Sequence, residues 1–175
     1  EIDELSAFIN KRINAYACGF ARSQEAFDEG YAGYFEALEE LEERLGTKRF
    51  INGDYITLSD IHLYVALIRF HINNHLVFGV NKKRLQDYPN LWNYTKDIYQ
   101  TEGFYDYTKL ELIKRHYQQS PHMRAKLGNV YGLLGVGPDN RELLAPTGRQ
   151  KLSADPANKF TYKKEDRPLY AHQNE

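Results

Sequence analysis

The side chain with the strongest intrinsic nucleophilicity in this sequence is the thiol of Cys18, its single cysteine. A cysteine becomes reactive when a helix start or a nearby cation stabilises its thiolate. No proline follows Cys18, and free cysteines are among the most buried residue types, so we interpret it as a small core residue. A lone cysteine also excludes an internal disulfide and fits a reducing compartment, which predicts a cytoplasmic protein.

Three charged or titratable residues at the end of an apolar stretch could do chemistry. His71 and His75 are four residues apart, the spacing with which two zinc ligands share a helix face. No glutamate lies between them and no third ligand is evident, so we expect ordinary polar positions and no metal site. Arg69 precedes them. Because a lone buried charge is costly, we expect Arg69 to form a structural salt bridge with a carboxylate.

Aromatic side chains are abundant, with 14 tyrosines and 9 phenylalanines. A phenol hydroxyl in a cleft can donate to a quinone-type oxygen or stabilise a phenolate. The composition predicts either a thick aromatic core or an aromatic-lined pocket, and it does not choose between the two.

Length and charge limit the class of protein. A chain of 175 residues fits one domain, or one domain with a tail. The net charge of −1 gives no basic field for nucleic acid, and no apolar run of roughly 18 residues would span a membrane. The glutamates between Glu36 and Glu43 lie opposite an apolar stripe, which is typical of a solvated helix face.

The most strongly specified element is a helix that begins at Thr57. Its hydroxyl suits an N-cap, and Asp60, three residues later, can reach back to complete a capping box. Ile56 and Ile61 occupy the positions of a hydrophobic staple. The stretch that follows, to Ile72, is apolar on nearly every face, which predicts a buried central helix.

The remaining periodicity is also helical, which predicts an all-α bundle. An apolar stripe runs from Phe27 to Leu45, Pro89 suits the first turn of a later helix, and Thr108 is placed to cap the helix that holds Tyr117. Beyond Pro138 the composition becomes polar and irregular. We therefore expect a helical domain over 1–138 and an extended tail over 139–175 lying on it.

Several segments together form a recognisable set. They are Ile13-Asn14 with Tyr16 and Gly19-Phe20-Ala21, Asn52-Gly53-Asp54 with Thr57 and Asp60, Leu67-Ile68-Arg69-Phe70, Asp87-Tyr88-Pro89-Asn90-Leu91, Asp97-Ile98-Tyr99-Gln100, and Ile113-Lys114-Arg115-His116-Tyr117. In order and spacing they resemble the C-terminal helical domain of glutathione transferases, specifically the Xi class, the glutathionyl-hydroquinone reductases. The resemblance covers roughly residues 1–120.

The sequence departs from the family pattern at four places. The family has an aspartate where this chain has His71, and the Val-Tyr pair that follows it is missing here. The Lys-Cys pair of the family is replaced by Gly79-Val80, and its Ile-Asn-Pro segment after Tyr117 is absent. These departures are typical of a divergent branch of the family.

The resemblance implies a function for the complete enzyme. In the Xi class a thioredoxin-like domain supplies a nucleophilic cysteine and binds glutathione or another low-molecular-weight thiol. No such segment occurs in these 175 residues, so we expect the chain to hold the substrate-side domain without a catalytic residue. Tyr16 and Tyr117 align with the two tyrosines that line the pocket for the aromatic or quinone-type substrate.

Two further expectations follow from the resemblance. The Xi class pairs largely through its helical domain, which predicts a homodimer. The alternative function is a non-catalytic binding or dimerisation module that kept the fold and lost the chemistry. The changes near Asn73 and Gly79 favour this alternative, whereas the retained tyrosine pair favours a substrate-side domain.

Overall fold

Every regular element is helical in a computed structural model of the chain, which describes residues 1–13, 21–74, 77–121 and 133–153. The prediction of an all-α fold is confirmed. No helix in these ranges is both long enough and apolar enough to cross a membrane. The α-helices are α1 (Ile2–Arg12), α2 (Gln24–Leu45), α3 (Leu58–Arg69), α4 (Pro89–Tyr99), α5 (Phe104–Tyr107) and α6 (Leu110–Gln119).

Shorter helical segments connect and extend these six. A π-helical segment continues α3 directly, and among the described residues three short 3-10 helices lie in the connections and in the C-terminal segment. They are the π segment Phe70–Asn74 and the 3-10 helices Leu85–Asp87, Asn140–Leu144 and Arg149–Leu152.

The core lies where α2, α3 and α4 meet. α3 packs against α1 on one side and α4 on another, and α2 packs against α4. The predicted stripe of α2 is confirmed, with Tyr34, Phe35, Leu38, Leu41 and Leu45 buried. The prediction of a buried central helix also holds for α3, because Leu63, Leu67 and Ile68 are almost completely buried.

Asp60 binds several parts of the core together. The capping box with Thr57 is confirmed: Oδ2 of Asp60 accepts from the Thr57 N–H at 2.8 Å and from its hydroxyl at 2.7 Å. Oδ1 accepts from the Ile51 N–H at 2.8 Å and from the Tyr94 hydroxyl at 2.9 Å. Burial raises the pKa of the Asp60 carboxyl, and these donors offset only part of that effect.

Glu42 is the exception among the glutamates predicted to form a solvated face. Glu36, Glu39 and Glu43 are exposed, as expected. The carboxylate of Glu42 instead accepts from the backbone N–H groups of Asn90 at 2.9 Å and Leu91 at 2.7 Å. These donors belong to the first turn of α4, where backbone N–H groups lack helical partners. A residue of α2 therefore caps α4, which begins at Pro89 as predicted.

The prediction that Arg69 forms a salt bridge is wrong for the described residues. Arg69 is half-buried, and its guanidinium donates to the Val65 carbonyl one turn earlier at 2.9 Å. Its long side chain reaches the helix surface, so its charge needs no buried partner. The buried ion pair is elsewhere. Arg49 and Asp97, 5% and 4% exposed, meet through two hydrogen bonds of 2.9 and 3.1 Å.

The prediction that Thr108 caps the helix of Tyr117 is also wrong. A short helix, α5, ends at Tyr107, and Thr108 follows it as the C-cap. Its hydroxyl donates back to the Phe104 carbonyl at 2.7 Å. α6 begins only at Leu110, with Lys109 in the N-cap position. The sequence contained no signal for α5, because four residues are too few for a helical periodicity.

Residues 139–153, part of the predicted tail, contact the helices through buried side chains. Leu143 is fully buried, and its carbonyl accepts from the Gln100 side chain at 2.7 Å. The guanidinium of Arg149 donates to the carbonyls of Leu45 at 3.0 Å and Arg49 at 2.9 Å, and also to that of Lys48. The C-terminal segment therefore closes the end of α2. The domain boundary at 138 stays a prediction.

We expect the effects of Thr57 and Asp60 on stability to be coupled. Thr57→Ala should lower the free energy of unfolding by about 1 kcal/mol. Asp60→Ala should lower it by about 3 kcal/mol, because it also leaves the buried donors of Ile51 and Tyr94 unpaired. In denaturant melts the double variant should lose less than the sum. Strict additivity would contradict the shared motif, and Asp3→Ala, at an exposed helix start, serves as the control.

Candidate functional site

α6 buries a polar face. Its buried residues are Lys114, Tyr117 and Gln118, whose spacing of three and four places them on one side of the helix. An amphipathic helix normally buries aliphatic side chains there. Buried polar groups must be hydrogen-bonded, so this face is built to receive other polar segments of the chain.

Tyr117 lies among aromatic neighbours. It is 7% exposed, and its ring meets the ring of Phe78 edge to face at 5.8 Å and 88°. The ring of His116, the preceding residue, lies 5.1 Å away at 85°. These are the offset geometries that aromatic pairs prefer, so the Tyr117 ring is held in one orientation.

A π-helical segment brings Asn73 to α6. The segment Phe70–Asn74 belongs to a rare class of element that often marks functional sites. Asn73 is fully buried, and its side-chain oxygen accepts from the Gln118 amide at 3.2 Å. The Asn73 amide in turn donates to the Ile113 carbonyl at 3.4 Å. Asn73 thus links the end of α3 to the helix that carries Tyr117.

The same face of α6 also binds the backbone of Gly135. Gln118 uses its side-chain oxygen to accept from the Gly135 N–H at 2.8 Å. The ammonium of Lys114 donates to the Gly135 carbonyl at 2.9 Å. Gln118 therefore connects the π-helical segment to Gly135, and Lys114 supplies a second attachment one turn earlier on the helix.

Not all of the predicted site residues lie in the described ranges. Tyr117 is placed as above, whereas Tyr16 and Cys18 lie outside the described residues, so their roles stay predictions. His75 is also outside them. His71 is buried against Trp92, with ring centroids 4.9 Å apart, and its Nδ1 lies 3.2 Å from the Gln86 amide. No group of residues in the described ranges could hold a metal ion.

Sequence reasoning missed the polar contacts that α6 makes beside Tyr117. Asn73 and Gln118 attracted notice only as departures from a family pattern, and Lys114 only as part of a matching segment. The spacing of Lys114, three residues before Tyr117 and four before Gln118, was a usable signal for a shared face of α6, whereas Asn73 lies on another element. Gly135 had no such signal, since only its backbone takes part in these contacts and its residue type does not indicate them.

Comparison with known proteins gives one consistent result. Residues 24–97 match the model of the glutathione S-transferase C-terminal domain. The chain is 38% identical over 151 residues to the glutathionyl-hydroquinone reductase YqjG of Escherichia coli, covering 85% of this chain and 44% of that protein. It is 35% identical over 140 residues to the glutathionyl-hydroquinone reductase PcpF of Sphingobium chlorophenolicum, covering 79% and 44%.

Solved structures give the same result. The glutathione-bound structure of YqjG matches with a TM-score of 0.78 at 38% identity, covering 85% of this chain and 48% of that chain. A Xi class glutathione transferase from Natrialba magadii matches with a TM-score of 0.77 at 31% identity, covering 86% and 45%. The chain thus spans about half the length of the relatives it matches.

We expect Gln118 to hold the Gly135 segment in place. Gln118→Leu keeps the volume but leaves the Gly135 N–H and the Asn73 oxygen unpaired, which should cost about 1–3 kcal/mol. Hydrogen exchange at the Gly135 amide should be faster in this variant, because the amide has lost its acceptor. Gln24→Leu, at an exposed hydrogen bond with Asp28, should change stability by less than about 0.5 kcal/mol. Equal effects of the two variants would contradict the assignment.

Proposed function

Because this chain belongs to the Xi class of glutathione transferases and carries their C-terminal helical domain, we propose that it is the substrate-side domain of a glutathionyl-hydroquinone reductase. The complete enzyme would use glutathione, or another small thiol, to reduce glutathionylated hydroquinones or related aromatics. The similarity to YqjG and PcpF, both named as glutathionyl-hydroquinone reductases, is the main support for this substrate class.

The proposed reaction exchanges a carbon–sulfur bond for a disulfide. The cysteine thiolate of a thioredoxin-like domain attacks the sulfur of the aryl thioether and forms a mixed disulfide with glutathione. The aryl carbon takes a proton and leaves as the free hydroquinone. A second glutathione thiolate then attacks the mixed disulfide, which releases oxidised glutathione and restores the cysteine. One glutathione is consumed and the aryl group is reduced by two electrons.

Within this reaction we assign Tyr117 to binding the leaving hydroquinone. Negative charge develops on the hydroquinone as the carbon–sulfur bond breaks, and a phenol donor in a partly dry site stabilises that charge better than water does. Tyr16 is proposed as the second donor. Neither tyrosine transfers a proton to the aryl carbon in this scheme; both orient the ring and stabilise its oxygens.

The observation that carries the proposal is the fixed position of Tyr117. A tyrosine used only to fill a core would need no polar surroundings, whereas Tyr117 shares the buried face of α6 with Lys114 and Gln118. Pre-organised donors of this kind need little rearrangement when charge develops. The non-catalytic alternative, favoured by the changes near Asn73 and Gly79, predicts that the complete protein does not turn over a glutathionylated hydroquinone.

The oligomeric state and the location are part of the same proposal. We propose that the protein is cytoplasmic and forms a symmetric homodimer through the helical domain. Exposed large apolar side chains, among them Tyr105 at 53% and Leu112 at 56% exposure, supply surface that a partner could cover. We propose no role for nucleic acid or for a membrane.

We expect Tyr117→Phe to lower turnover of a glutathionylated hydroquinone by about 10- to 1,000-fold in the complete enzyme, the range for loss of one such donor. The melting temperature should barely change, because the ring stays in place. Tyr105→Phe, at an exposed position on α5, is the matched control and should retain activity. Equal turnover in the two variants would contradict the assignment of Tyr117 as a donor, whereas no turnover in the unaltered protein would favour the non-catalytic alternative.

The dimer has a separate test. Light scattering at micromolar concentration should give twice the mass of one chain, since a symmetric interface is the commonest route to a stable oligomer. A single-chain mass across that concentration range would reject the homodimer without bearing on the role of Tyr117.

A further inference from the structure

A cavity lies between α3 and the short helix α5, and Tyr117 is not among the residues that line it. Its volume is about 290 Å³, and its walls come from α3, from α5 and from the residues next to α5. An enclosed cavity of about 150 Å³ accommodates benzene, whereas sites for drug-sized ligands begin at about 300 Å³. The α3–α5 cleft therefore has room for one aromatic ring with a short side chain.

Aromatic rings form much of the cleft. Tyr64 and Phe104 line it and meet edge to face, with centroids 5.5 Å apart at 89°. Tyr107, which also lines it, is 46% exposed. The aliphatic side chains of Ile61 and Val65 complete the apolar wall. Such surroundings suit an aromatic guest, and the negative faces of the rings also favour a cationic one.

The paired hydroxyls of Tyr64 and Thr108 at the cleft can only accept further hydrogen bonds. The Thr108 hydroxyl has one proton, which it donates to the Phe104 carbonyl at 2.7 Å. In the 2.6 Å contact between Thr108 and Tyr64, the tyrosine must therefore be the donor. Both hydroxyl protons are then used. Burial raises the pKa of Tyr64, so its oxygen stays a neutral acceptor at physiological pH.

The charge of the cleft has one sign. Glu102, which is exposed, is the single charged side chain among the eight residues that line it. A carboxylate at the mouth and the paired hydroxyls of Tyr64 and Thr108 both favour a ligand that brings hydrogen-bond donors. An anion of the same shape would face Glu102 directly.

We propose that the α3–α5 cleft binds a single-ring aromatic cation of the arylalkyl ammonium class. The ring packs among Tyr64, Phe104 and Tyr107, and the ammonium group lies near Glu102. This site shares no lining residue with the surroundings of Tyr117, so it stands or falls independently of the proposed reductase function.

The test is an amide NMR titration of the full 175-residue chain at neutral pH. The probes are phenethylammonium, its anionic counterpart hydrocinnamate, and the non-aromatic cyclohexylethylammonium. Phenethylammonium should shift the amides of Val65, Gly103 and Thr108, and should bind about tenfold or more tightly than hydrocinnamate. Cyclohexylethylammonium has the same charge and a similar size but no aromatic ring. It should bind more weakly than phenethylammonium, because it cannot form aromatic–aromatic contacts.

Variants locate the binding. Val65→Phe places a ring inside the cleft and should lower the affinity for phenethylammonium by about tenfold or more. Leu112→Phe, on an exposed position of α6 outside the cleft, is the matched control and should not. Glu102→Gln should lower the affinity by about two- to fivefold, the range for an exposed ion pair. Equal binding of hydrocinnamate, binding unchanged in Val65→Phe, or no shifts with phenethylammonium would each overturn the proposal.

Discussion

A carboxylate removed from water must receive hydrogen bonds from the protein, and Asp60 receives them from three separate parts of the chain. Ile51 lies before α3, Thr57 begins it, and Tyr94 is on α4. A single buried group therefore fixes the start of α3, the chain that enters it, and the distance to α4. Because a helix is rigid, the start of α3 also fixes where its far end lies.

That far end determines the surroundings of Tyr117. α3 continues without interruption into the π-helical segment, which places Asn73 against Gln118 of α6. A rotation of α3 by one residue would move Asn73 by about 100° around the helix axis and separate the two side chains. The geometry around Tyr117 thus depends on the Asp60 carboxylate at the opposite end of α3. Asp60 takes no part in the chemistry, but it fixes the position of the helix.

The sequence predicted those features whose signal is local. Thr57 and Asp60 are three residues apart, Pro89 begins its helix, and the apolar stripe of α2 lies within one element. Each of these features could be predicted without knowing the fold. The stabilising contacts of Arg49 and Glu42 were not predictable, because each joins residues more than 40 positions apart. The wrong prediction for Arg69 has the same origin, since local hydropathy reveals a charge in an apolar stretch but not where its side chain ends.

For the site, the sequence supplied Tyr117 through resemblance and the helix that carries it through periodicity. It did not predict the hydrogen bond between Gln118 and Gly135, because a contact between separate segments produces no periodic pattern in the sequence. The cleft beside α5 escaped notice for a related reason. α5 has four residues, and its contacts with Tyr64 depend on how the chain turns after α4.

The position of Arg149 has a consequence for the folding of the chain during synthesis. Its guanidinium binds carbonyls at the end of α2, 104 residues earlier at Leu45 and 100 residues earlier at Arg49. At roughly 5–20 residues per second, the ribosome makes this interval in about 5–20 s. Throughout that time the carbonyls of Leu45 and Arg49 lack this guanidinium. The end of α2 then depends on packing against the core and on donors made earlier, such as the Asn90 amide on the Glu42 carbonyl at 3.3 Å.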